Sequence, residues 1–380
     1  MTRLEKLHFL TPGNYEDDRP AEGLENTLRL IEAGERLGYD GAWVRQRHLE
    51  HGISSAAVFL GAATQRTSTI ELGTAVIPIG YESPFRLGED LATADVLSGG
   101  RVQIGVSAGP PPHLELIGDR VFDGDWSGYD LSYGRVERLV ENLSGAFIGD
   151  EDTVIHSPGN VQRPRLQPHS PGLDRRVWYG GGSSASIRWA AAHGLHLLTG
   201  NVISGEGTDD FVEAQRALIA LHRSMSTRPD DVRIAFGRVL LPTDSADRAT
   251  RQKYREYVRE RDARLGVAHG PRRTLFAPDL VGSAAEIAER LAEDAAFDGI
   301  TELRIELPYE FEEQDYEQVL GDTIELIAPG SGTPPLAAFR PWRRPPPAPA
   351  RGTARSRGGP RRERPPRPRR CSWCSCSRRR

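Results

Sequence analysis

The sequence predicts an α/β chain folded as a closed (β/α)8 barrel with insertions, and three observations carry that expectation. Short apolar runs alternate with helix-length amphipathic runs, which implies a parallel sheet. Eight such units fall within about 330 residues, the length of an eight-fold barrel with insertions. An open doubly wound sheet would carry a G-x-G-x-x-G turn after its first strand, whereas this chain has Thr11-Pro12-Gly13-Asn14.

Taken in order, residues 7–11 are the first strand. Leu24, Leu28, Ile31 and Leu37 share one face at helical spacing, so 24–37 is a helix. Gly38 closes it, because glycine tolerates the left-handed conformation past a helix end. Residues 41–44 are the second strand, and Ser54 or Ser55 caps the helix that runs to about Arg66. Residues 70–77 form the third strand, 84–97 its helix and 101–107 the fourth strand. The alternation is then interrupted. Residues 108–132 are rich in Gly, Pro and Asp and read as a long loop, 133–147 as a helix, and 153–174, with four prolines, as an irregular insertion or hairpin. Strands at 177–179, 195–198, 232–241 and 302–306 complete the set. Helices at 184–193, 208–224, 246–264, 283–296 and 315–327 lie between and after them.

Charge divides the chain at residue 329/330. After Gly330 there are 15 Arg, no Lys, 11 Pro and a single acid, Glu363. The body before it holds 34 basic and 52 acidic residues. An acidic body argues against a nucleic-acid surface, which needs clustered positive charge. Too few apolar residues follow 330 to build a core, so 330–380 is expected to be a disordered tail. Such a tail is either a basic arm for nucleic acid or acidic lipid, or an out-of-frame extension of a GC-rich gene; the second reading is favoured. All three cysteines, Cys371, Cys374 and Cys376, lie in that tail. The body therefore has no disulfide framework and no cysteine-based metal site. With no apolar run of secretory type and none near the roughly 20 residues of a membrane span, the reading is a cytoplasmic protein without membrane contacts.

In an eight-fold barrel, ligands bind at the carboxyl ends of the strands. After strand two comes Arg45-Gln46-Arg47-His48-Leu49-Glu50-His51. His48 can act there as acid, base or hydrogen-bond donor, or the segment is a solvated polar loop. The flanking Arg45 and Arg47 would disfavour its protonated form. After strand four, Ser107-Ala108-Gly109 leaves room for a flat ring, or is a tight turn. After strand five, Gly180-Gly181-Gly182-Ser183-Ser184-Ala185-Ser186 enters a helix. It reads either as a phosphate cradle or as a glycine turn with a serine cap. No G-x-S-x-G, H-E-x-x-H or P-loop motif occurs, which disfavours an α/β-hydrolase, a zincin or a P-loop enzyme.

Together these segments resemble the bacterial luciferase-like flavin-dependent monooxygenases. The most specific stretch runs from Ile70-Glu71-Leu72-Gly73-Thr74-Ala75-Val76 through Glu89-Asp90 to Asp95-Val96-Leu97-Ser98-Gly99-Gly100-Arg101 and Gly105-Val106-Ser107. Arg47-His48 looks like the family's paired histidines, and Gly182-Ser183-Ser184-Ala185-Ser186 like its flavin-phosphate loop. The resemblance spans residues 7–328. It implies a TIM barrel that binds reduced FMN, with a deazaflavin as the alternative cofactor. Phosphate contacts would come from Gly182, Ser183 and Ser186, while Thr74, Ala75 and Ser107 would lie beside the flavin ring. A non-proline cis bond is implied at Ala75–Val76. Reduced flavin would come from a separate reductase, the substrate would be a small molecule, and a homodimer is compatible with the reading. Two departures stand out. Arg47 replaces the family's first, catalytic histidine, and Ala108 replaces its phosphate-binding arginine, a charge that Arg135 could supply instead. His48 and Arg47 are therefore the catalytic candidates, and light emission is not expected. Rival readings are a deazaflavin-dependent hydride-transfer enzyme, a non-catalytic flavin-binding barrel, and a metal-free lyase acting on a sugar phosphate.

Overall fold

The computed structural model describes residues 4–327. The expected boundary at 329/330 and the Arg- and Pro-rich tail lie outside the described residues. Eight parallel strands close the barrel: β1 (Lys6–Thr11), β2 (Gly41–Val44), β3 (Glu71–Thr74, resumed at Ile77–Pro78), β4 (Val102–Ser107), β5 (Val177–Gly180), β6 (His196–Thr199), β7 (Ile234–Arg238) and β8 (Glu302–Glu306). Each strand bonds to its neighbours in sequence and β8 returns to β1. Closure satisfies the backbone groups that an open sheet leaves exposed at its edges. It also brings all eight carboxyl ends to one face.

The outer ring comprises α1 (Pro20–Leu37), α2 (Ala56–Thr64), α3 (Pro84–Ser98), α4 (Leu114–Val121), α5 (Gly134–Leu143), α6 (Ser184–Ala192), α7 (Phe211–Met225), α8 (Arg248–Asp262), α9 (Ala284–Glu293) and α10 (Glu313–Ile327). Pro20 starts α1 four residues before the apolar stripe begins, since proline lacks only an N–H that the first turn leaves unbonded anyway. Three expectations need correction. The third strand is not continuous: it pauses at Ala75–Val76, whose peptide is cis. The stretch 232–241 is not one strand: after Arg238 the chain leaves the barrel, and Leu240–Pro242 pairs with Leu280–Gly282. The loop 108–132 contains α4, which packs Leu114 against Tyr81 and Phe122. The hairpin in the insertion is present, joining Ile155–Ser157 to Asn160–Gln162.

The apolar core has two zones. A large one lies between strands and helices, with Phe9, Val44, Leu72, Ile104, Tyr179, Phe236 and Ile305 facing outward from the barrel. A smaller one fills the barrel, where Leu10, Trp43, Trp178, Leu198 and Ala235 meet. Trp43 lies over Gly73, where a Cβ would stand 2.2 Å from the indole, so only glycine fits beneath it. Below this layer, at the amino ends of the strands, the barrel is charged. Arg233 binds Glu71 at 2.9 Å and Glu302 at 2.5 and 2.9 Å, Lys6 also pairs with Glu71, and His8 meets Glu302 at 3.1 Å.

Candidate active site

A cavity of about 190 Å3 opens between the carboxyl ends of β2, β3 and β4. The loop after β2 supplies Arg45, Gln46, Arg47, His48 and Glu50. The break in β3 supplies Ala75, Val76 and Pro78, and β4 supplies Ser107, with Pro112 beyond it. Four residues expected from the sequence thus meet: Arg47, His48, Ala75 and Ser107. The lining combines small or apolar residues from β3 and β4 with polar and charged residues from the loop after β2, the mixture usual in a ligand-binding cleft. Next to this cavity, the Glu306 carboxylate bridges two guanidiniums, receiving Arg45 Nη2 and Arg304 Nη2 at 3.1 Å each.

His48 is half-buried, and its ring meets Tyr81 edge-on at 4.9 Å. Burial lowers its pKa from the usual imidazole value, while the charge of Glu82 pulls the other way. The direction agrees with the sequence expectation, but its cause is desolvation and not repulsion by the flanking arginines. Arg47 reaches the Tyr309 hydroxyl at 3.4 Å and lies 3.8 Å from Glu50.

The other expected residues lie elsewhere. Thr74 is fully buried, and its hydroxyl donates to Gly105 O and accepts from Gly105 N, both at 2.8 Å. It locks β3 to β4 rather than presenting a free hydroxyl. Arg135 is buried with its guanidinium spent on carbonyls: Nε donates to Ile79 O at 3.1 Å, Nη1 to Asp130 O at 3.4 Å, and Nη2 to Glu82 O. In this structure it anchors the loop after β3. Gly182, Ser183 and Ser186 follow β5 on the same face but do not line the cavity. Ser183 and Ser186 form a reciprocal capping box at the start of α6, each hydroxyl accepting the other's backbone N–H at 3.3 Å. The Ser184 N–H donates to the Glu206 carboxylate at 3.1 Å, so this helix start already receives an anionic oxygen.

Gln46, Glu82 and Glu206 were not singled out from the sequence. Gln46 is buried; its Oε1 accepts the Ala56 N–H at 3.0 Å and its Nε2 donates to Glu82 Oε1 at 2.7 Å. Ser55 holds the N-cap position of α2 but makes no side-chain cap, and Gln46 bonds the first N–H of that helix instead. The visible signal was a lone amide among cations at a strand end; its partners lie 10 and 36 residues away.

The model of one family, the luciferase-like monooxygenases, matches residues 5–302. The chain belongs to that family. Among curated proteins it is 35% identical over 121 residues to the 4-hydroxyprotoasukamycin monooxygenase of Streptomyces nodosus subsp. asukaensis, covering 31% of this chain and 33% of that one. It is 27% identical over 209 residues to the N-acetyl-S-alkylcysteine monooxygenase of Bacillus subtilis (strain 168), covering 54% and 59%. It is 30% identical over 184 residues to the uncharacterized protein y4wF of Sinorhizobium fredii (strain NBRC 101917 / NGR234), covering 45% and 48%. The matched segments therefore span between a third and three fifths of these relatives' lengths. Among solved structures, a monooxygenase from Streptomyces bottropensis superposes with a TM-score of 0.61 at 18% identity, covering 85% of this chain and 98% of the other. An F420-dependent secondary alcohol dehydrogenase superposes at 0.54 and 16% identity, covering 85% and 99%. At such identities the structures show the fold, a TIM barrel. Among the described residues, no helix is long and apolar enough to cross a membrane.

Proposed function

We propose that this chain is an FMN-dependent monooxygenase that uses reduced flavin from a separate reductase and molecular oxygen to oxidise a small organic substrate. The observation that carries the proposal is the cavity itself, which small and apolar groups (Ala75, Val76, Ser107) line together with His48 at the carboxyl end of the barrel. Two features support a flavin. Ala75 and Ser107 leave room for its ring, and the start of α6 offers an N–H that already holds a carboxylate oxygen. When bound, reduced FMN would supply the electrons that activate oxygen.

The chain's own groups would do the rest. The N–H groups at the start of α6 would take the phosphate in place of Glu206. Pro78 and Pro112 stiffen the rim of the cavity, and the long insertion carrying α4 would help keep water out. His48 would hold a polar atom at the reacting edge. The Arg45–Glu306–Arg304 cluster keeps a net positive charge beside it.

Titration of the purified chain with FMN, reduced FMN and a deazaflavin tests the reading. Reduced FMN is expected to bind and oxygen to be consumed on its addition. Binding of the deazaflavin alone, with no oxygen uptake, would move the chain to the hydride-transfer reading, which structural similarity to an F420-dependent enzyme keeps in view. Flavin binding without turnover on any substrate would leave a non-catalytic barrel.

A further inference from the structure

We infer that Gln46 locks His48 in the neutral tautomer with its proton on Nδ1, making His48 a fixed hydrogen-bond donor and closing both ring nitrogens to proton acceptance. The Ala56 backbone N–H can only donate, and it points at Gln46 Oε1 at 3.0 Å. The amide therefore turns its oxygen toward Ala56 and its nitrogen toward the other two partners. Flipping it would set NH2 against N–H, and a carbonyl against the Glu82 carboxylate at 2.7 Å. With the orientation set, Gln46 Nε2 has two protons and no lone pair to offer. One proton goes to Glu82 Oε1, and the other faces His48 Nε2 at 3.2 Å.

His48 Nε2 must then be the acceptor. A neutral imidazole carries one proton, so that proton is on Nδ1. A base needs a free lone pair: that of Nε2 is engaged by Gln46, and Nδ1 has none while protonated. Protonating Nε2 would set N–H against N–H and break the contact. Burial disfavours the imidazolium as well. The charged and titratable groups around the ring are Glu82 and Tyr81 from the loop after β3, and Arg45, Arg47 and Glu50 from its own loop. Glu82 favours protonation, yet its near oxygen is already taken by Gln46. Gln46 is thus a positioning residue that decides which of three roles, acid, base or donor, is open to His48. What the donor serves rests on the flavin reading; the tautomer does not.

The test is nitrogen NMR of histidine-labelled full-length chain with no flavin added, the His48 signals being those lost in His48→Asn. At pH 7 the expected pattern is a pyrrole-type Nδ1 and a pyridine-type Nε2. The Nε2–H tautomer, or an imidazolium, in the unmutated chain overturns the inference without any variant having to fold. In Gln46→Met, of similar size but without the amide, the Nδ1–H population should give way to a mixture of tautomers. An unchanged Nδ1–H pattern there would show that Gln46 is not the lock. Because the measurement needs no cofactor, a failed flavin titration and a failed tautomer assignment are separate results.

Discussion

At the scale of single residues, the site turns on two side chains, one held by Gln46 two residues away and the other by a helix start 22 residues away. His48 lines the cavity and, in the Nδ1–H form, has one proton to present. His48→Ala should leave flavin bound but slow substrate oxidation by about a hundredfold or more, the scale of losing one preorganised hydrogen-bond donor at the reacting centre. Oxygen consumed without product, with hydrogen peroxide released, would be the same loss seen as uncoupling. Steady-state rates with a peroxide assay decide it, and intact turnover and coupling in this variant would remove His48 from the chemistry. Glu206 is the second. Its carboxylate holds the Ser184 N–H, the position a cofactor phosphate would need. Two anions cannot share one helix start without repulsion, so Glu206→Gln should tighten FMN by up to about fivefold, the scale of a single charge at a helix terminus. Riboflavin, which has no phosphate, should bind as before. Unchanged FMN affinity would place the phosphate elsewhere.

At the scale of elements, the start of α6 does two jobs that a pair of substitutions can separate. Ser183 and Ser186 cap the helix reciprocally, and both were expected to bind phosphate. Ser183→Ala with Ser186→Ala removes the capping box, which costs roughly 1 kcal/mol of stability, and also removes hydroxyls able to bond phosphate, each worth about 1.5–3 kcal/mol. FMN should weaken at least about tenfold while riboflavin changes little; equal loss for both ligands would mean that the serines serve the helix alone. The elements most legible in the sequence are those whose signal is local. β2 and β8 match their expected bounds: β2 is a short apolar run, Gly-Ala-Trp-Val, and β8 alternates charged and apolar residues, Glu-Leu-Arg-Ile-Glu, at the period of a strand. What was illegible depends on partners far along the chain. The pairing of Val202–Ser204 with Thr274–Phe276 is three residues deep, too short for any periodicity to show. The helix α4 is hidden in a Gly-, Pro- and Asp-rich stretch, and its apolar residues find a partner in Tyr81, before the preceding helix. The site behaves likewise. His48, Ala75 and Ser107 were readable as strand-end residues, but the clamp that Gln46 makes between Glu82 and Ala56 exists only after β2, β3 and α2 have packed.

At the scale of the whole molecule, the barrel places its candidate chemistry at one end and its strongest charge pairing at the other. Arg233, near the start of β7, ties Glu71 of β3 to Glu302 of β8 across the barrel floor. Burial alone would raise the carboxyl of Glu302, but hydrogen bonds and charge from His8 and Arg233 outweigh it and hold the pKa down to about 2. Burial, helped by Arg233 and Arg228, holds the nearby His196 imidazole down to about 3. Its Nδ1 accepts the Arg233 backbone N–H at 3.0 Å, a bond that needs the lone pair. Both groups have folded pKa values below their ordinary ones, so both contribute stability that is complete above the unfolded value and lost on acidification. For His196 the loss begins below about pH 6.5 and for Glu302 below about pH 4.5; each runs down to the folded value. The Glu302 share is roughly 3 kcal/mol if its unfolded value is ordinary. Denaturant unfolding at pH 7, 5.5, 4 and 3 should therefore show stability falling in two overlapping stages. Glu302→Gln should be less stable at pH 7, because it leaves Arg233 underpaired, but it should lose less on going from pH 4.5 to pH 3 than the unmutated chain. His196→Gln should flatten the slope between pH 6.5 and pH 4.5 instead. If both variants keep the unmutated slope in their own window, the acid sensitivity of the barrel does not reside in its floor.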